Sequence, residues 1–176
     1  MSIDTRFNEE EQFLLTNTPY IVGAAMVFSG GSGLGTIKEM YSNAKTFLEG
    51  AKQFPNNEII TGILPNMENW KEVREKTKAF QEKAKEIFRE KGIDSPEKMQ
   101  EFAAQEVEKV TALLDEKATP EEKKEYYEWL LSIAENVAKA AKEGGFLGFG
   151  GERISGGEKE FYAKIAKQIG MDPTLA

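Results

Sequence analysis

One segment of this sequence has no polar side. Residues 20–28 are apolar or glycine throughout, and the longer stretch 12–37 contains no Asp, Glu, Lys or Arg. Pro19 precedes the segment, where a proline either kinks a helix or begins a new one. A helix that is apolar on every side must be covered on every side. The sequence therefore predicts a buried central helix with the other elements packed around it.

The same stretch is too short in its apolar part to cross a membrane. A spanning helix needs about 20 mainly apolar residues, but polar residues and a proline precede Tyr20 and glycines follow Phe28. Residues 1–7 also lack the pattern of a secretory signal. We therefore expect a cytoplasmic protein.

The rest of the chain alternates apolar spacings of three and four between helix start and stop signals. Capping boxes at Thr36/Glu39 and Ser155/Glu158 begin two of the helices. The predicted helices begin at residues 9 and 36 and then cover 57–64, 69–91, 96–118, 120–142 and 156–169. The prediction is an all-α fold of about seven helices, forming one domain over residues 1–176.

Two of these helices, over 69–91 and 96–118, carry matching apolar stripes and are joined by a short turn at Gly92. This arrangement predicts a long antiparallel αα-hairpin that could protrude from the domain. The sequence favours a structural hairpin with solvated Lys and Glu faces, and a partner-binding coiled coil is the alternative.

The two ends of the chain share an order of helix, glycine-rich loop and capped helix. The first copy runs from residue 22 to 41 and the second from 137 to 162, with glycine-rich segments at 30–35 and 144–151. Internal similarity of this kind predicts two helix-loop-helix units related by a pseudo-twofold axis. The charged hairpin would then be inserted between the two copies.

Residues 129–171 carry a family resemblance. The alanine-rich run 133–141, the loop after it, the cap at 154–158 and the final helix to Gly170 resemble the repeat of the tellurite-resistance TerB-like family. The resemblance implies an all-helical fold of two similar halves, an association with stress or metal-related systems, and an acidic metal site beside the loop. The sequence departs from the family where Lys142-Glu143-Gly144-Gly145 replaces an Asp-Gly turn.

Acidic residues near the glycine segments are the candidate metal ligands. The chain has no His and no Cys, so any metal must bind oxygen atoms, which suits Ca²⁺, Mg²⁺ or Mn²⁺. Glu143 and Glu158 match acidic positions of the family, and Glu39 is their counterpart in the first copy. Helix capping is the alternative role for Glu39 and Glu158.

Phe146 and Phe149 lie among glycines, and they are the candidate interaction residues. They could enter a groove on a partner or a membrane surface, or they could fold back onto the core. The net charge of −7 argues against a nucleic-acid partner, because phosphate binding depends on clustered basic residues. The sequence also pairs no nucleophile with a base at a recognisable spacing.

These observations favour a non-enzymatic helical interaction or stress-associated protein that binds a protein partner or itself. The cofactor is left open, and a divalent cation such as Ca²⁺ or Mg²⁺ is the candidate ligand. The alternatives are a peripheral membrane or lipid-binding protein, which would use Phe146 and Phe149, and a Mg²⁺-dependent enzyme.

Overall fold

A computed structural model describes residues 3–30, 47, 52–64, 70–143 and 154–175. Of the helix predicted to begin at Thr36, only Phe47 is described, and it is helical and buried. The two glycine-rich segments after Gly30 and before Ile154 lie outside the described residues. The second half of the first pseudo-repeat is therefore untested, and the duplication stays a prediction.

Within the described ranges the chain forms helices and no strand, so the predicted all-α class is confirmed. The helices are α1 (Ile3–Arg6), α2 (Glu9–Ser29), α3 (Glu58–Ile63), α4 (Trp70–Glu90), α5 (Pro96–Lys117), α6 (Pro120–Glu143) and α7 (Gly156–Gln168). Apart from α1, each was predicted from the sequence, and the bounds of α3 to α7 agree to within one or two residues. None of these helices is both long and apolar enough to cross a bilayer.

Helix α2 is the centre of the fold, as its composition predicts. Residues 21–28 are all buried, and α5, α6 and α7 pack against α2. Helix α5 makes the most extensive of these contacts, so this half of the predicted hairpin belongs to the core. The buried face of α5 consists of Met99, Phe102, Ala103, Glu106, Val107, Val110, Leu113 and Leu114.

The closed end of the predicted hairpin is also visible. Gly92 has a φ of 61°, the left-handed conformation that lets the chain leave α4. Phe88 of α4 meets Phe102 of α5 edge to face, with ring centroids 6.2 Å apart. The two helices are thus joined at this end by an aromatic contact as well as by the turn.

Helix α2 continues through Pro19 as one helix. Its start is a capping box that the sequence analysis missed, in which Glu11 N donates to Asn8 Oδ1 (2.9 Å) and Asn8 N donates to Glu11 Oε2 (2.9 Å). The sequence allowed Pro19 either to kink the first helix or to begin a new one. In the structure Pro19 begins no new helix and lies inside α2.

An internal proline leaves a gap in the hydrogen bonds of α2. Pro19 has no N–H, so the carbonyl of Leu15, four residues earlier, loses its usual donor. The Tyr126 hydroxyl of α6 fills this gap by donating to Leu15 O at 2.7 Å. Burial raises the pKa of Tyr126 well above its ordinary value, so the hydroxyl keeps its proton. A hydrogen bond thus joins the central helix to α6 at the one carbonyl that loses its donor to Pro19.

We predict that Tyr126→Phe lowers the free energy of unfolding by about 1–3 kcal/mol, the usual penalty for a buried polar group left unpaired. The next residue offers a matched control, because the buried Tyr127 hydroxyl lies near Thr111 but forms no hydrogen bond of normal geometry. Tyr127→Phe should change stability by less than about 0.5 kcal/mol. Urea unfolding measures both, and equal losses would contradict the assignment.

Candidate functional site

The first turn of α7 touches the last turn of α2 through glycines. A Cβ added to Gly157 would lie 2.6 Å from the carbonyl oxygen of Ser29, and one added to Gly30 would lie 3.0 Å from Glu158 Oε1. Residues with a side chain could not approach this closely without displacing a neighbour. We call Ser29, Gly30, Ser155, Gly157 and Glu158 the glycine junction.

The predicted capping box at Ser155 is confirmed and shapes one side of the junction. Glu158 Oε2 accepts hydrogen bonds from Ser155 N (2.8 Å) and Ser155 Oγ (2.7 Å), while Glu158 N donates to Ser155 Oγ (3.2 Å). The Glu158 side chain reaches back over the start of α7, and the residue is only 6% exposed. The N-terminal end of the helix dipole stabilises its negative charge there.

Helix α5 holds the other side of the junction. Gln100 Nε2 donates to Ser29 Oγ at 2.8 Å, and Ser29 Oγ donates to Ala25 O at 2.7 Å. The last turn of α2 contains no basic residue, so the partial negative charge of its carbonyl end is not offset within the helix. The junction therefore joins the negative end of one helix to a buried carboxylate.

The junction places the first residue of one glycine-rich segment against the helix that follows the other segment in the sequence. The first segment begins at Gly30, which lies against Glu158, and the second leads to Ser155 at the start of α7. The sequence placed these segments about 120 residues apart along the chain, and it offered no local signal that Gly30 lies against Glu158. In the sequence, nothing distinguishes Gly157 from other residues in the first turn of a helix, and its contact with Ser29 is shown only by the structure.

The structure describes one of the predicted metal ligands and leaves the others untested. Glu158 lies in the junction, and Glu143 ends α6 with its side chain outside the described part of the chain. Glu39, Phe146 and Phe149 also lie outside the described residues. Among the residues that are described, no three acidic side chains come together as a metal-binding group. Of the predicted ligands, Glu158 alone has a described side chain, and it lies against Gly30.

A separate group of charges joins the N-terminal segment to the turn between α5 and α6. The guanidinium of Arg6 donates to both carboxylate oxygens of Glu122 (2.7 and 3.0 Å) and to the carbonyl of Lys117 (2.7 Å). Lys117 Nζ in turn donates to Glu11 Oε1 at 2.6 Å. We call these four residues the N-terminal clamp. Its charges are paired with one another, which indicates a structural role.

Asn57 extends the clamp to α3. Its side-chain oxygen accepts from Ile59 N and Ile60 N at the start of α3, while Nδ2 donates to the Glu122 carbonyl at 3.1 Å. One buried amide thus caps a helix and attaches it to α6. Neither this contact nor the clamp is predictable from local sequence, because the partners are far apart in the chain.

An open depression of about 350 Å³ lies where α5 ends and α6 begins. Its apolar lining comes from Leu114, Ala118, Pro120 and Met171. Lys123 at its rim forms an ion pair with Asp115, and this pairing leaves little charge to attract a ligand.

Comparisons of the chain with protein-family models, with curated proteins and with solved structures find no match. The resemblance to TerB-like proteins therefore remains a prediction from residues 129–171.

The glycine junction predicts opposite effects at two adjacent glycines. Gly157→Ala should lower the free energy of unfolding by about 1–3 kcal/mol, because its Cβ would press on a main-chain oxygen that cannot move aside alone. Gly156→Ala faces open space and should be neutral or stabilising by up to about 1 kcal/mol. Thermal melts of both variants check the contact, and a neutral Gly157→Ala would contradict it.

The N-terminal clamp predicts a dependence of stability on pH. The hydrogen bond from Arg6 lowers the pKa of Glu122 from 4.5 to about 2. Because the folded pKa is lowered, this stabilisation is complete above about pH 5 and is lost as pH falls towards 2. The shift corresponds to about 3 kcal/mol, and the side chain of Glu122 is only 12% exposed.

Arg6→Gln removes the largest cause of this shift and leaves the hydrogen bonds from Thr119 in place. The stability lost in Arg6→Gln should therefore be about 2 kcal/mol smaller at pH 3 than at pH 7 in urea unfolding. Lys124→Gln, which breaks the exposed pair with Glu128, should cost less than about 1 kcal/mol at either pH. If the cost of Arg6→Gln is the same at both pH values, the clamp does not control the ionisation of Glu122.

Proposed function

We propose that this protein is a non-enzymatic helical interaction protein that binds a divalent cation at the glycine junction. The observation that supports the proposal is the contact of Gly30 with Glu158. It brings Gly30, where the first segment begins, against a buried carboxylate in the helix that follows the second segment in the sequence.

The chemistry of the junction suits a hard cation. Ca²⁺ takes six to eight oxygen ligands, including carboxylates and main-chain carbonyls, while Mg²⁺ keeps several waters. Glu158 supplies one carboxylate next to the negative end of α2. In this proposal, carbonyl oxygens of the glycine segments and the carboxylates of Glu39 and Glu143 complete the ligand set.

The partner in this proposal is another protein or a second copy of this chain, in the cytoplasm. Phe146 and Phe149 belong to the second glycine segment, and aromatic residues are enriched at the centres of protein interfaces. The stress-associated role implied by the TerB-like resemblance fits such a cation-dependent interaction.

The cation site can be tested without disturbing the helix cap. Glu158→Gln keeps a side chain that serves in a capping box but removes its negative charge. Glu11→Gln is the matched control, because Glu11 holds the same position in the capping box of α2. Thermal melts of metal-stripped protein, with and without Ca²⁺, Mg²⁺ or Mn²⁺, compare the three proteins.

We expect at least one cation to stabilise the wild-type protein and Glu11→Gln, by about 2.7 kcal/mol at a concentration one hundred times the Kd. Glu158→Gln should show no such stabilisation. Equal stabilisation of Glu158→Gln and the wild type would mean that Glu158 only caps α7. No stabilisation of the wild type by any of the three cations would remove the cation from the proposal.

A further inference from the structure

We draw no further inference here: the strongest candidate, the open depression between the end of α5, the start of α6 and Met171, has its rim lysine Lys123 already paired with Asp115, and nothing in the structure shows what covers it.

Discussion

The fold depends on how one carbonyl group in the centre of the protein is satisfied. Residues 20–28 of helix α2 have no polar side and must be surrounded by other helices, and Leu15 is fully buried as well, so water cannot reach its carbonyl. Pro19 removes the amide that would bond to Leu15 O, and an unpaired buried carbonyl is costly. Tyr126 of α6 supplies the missing donor at 2.7 Å. The requirement for full hydrogen bonding thus determines which residue of α6 faces the middle of α2.

Hydrophobic burial alone would not fix the position of α2 among its neighbours, because it has no direction. Specific contacts do so at three levels along the helix. The N-terminal clamp holds its start through Lys117 and Glu11, Tyr126 holds its middle, and the contact of Ser29 with Gly157 holds its end. Contacts along the whole length of α2 therefore fix the position of the glycine junction, which is the proposed binding site.

The starts and ends of most helices could be predicted from the sequence, because local signals encode them. The spacing of apolar residues, the capping box of Ser155 and Glu158, and the terminating glycines Gly92 and Gly170 each act within a few residues, and the structure confirms them. Such signals determine where helices begin and end, and the apolar character of residues 20–28 determines which helix is central. The brief helix α1 was missed because its four residues carry no periodic pattern.

The contacts that assemble the helices could not be predicted in the same way. Arg6 and Glu122 are 116 residues apart, and Tyr126 and Leu15 are 111 apart, so neither pairing leaves a local pattern in the sequence. For the candidate site, the sequence suggested Glu158 as a ligand, which stays a prediction, and gave no sign that Gly30 and Gly157 lie where α2 meets α7. The contributions of Glu39, Glu143, Phe146 and Phe149 stay predictions.

The most direct test of this account is a double-mutant cycle between Pro19 and Tyr126, measured by urea unfolding. Pro19→Ala restores the amide that bonds to Leu15 O in an ordinary helix, so the Tyr126 hydroxyl would no longer be needed there. The account predicts that Tyr126→Phe costs about 1–3 kcal/mol in the wild-type background and less than half as much in Pro19→Ala. An equal cost in both backgrounds would show that Tyr126 does not compensate for the proline, and would contradict the account.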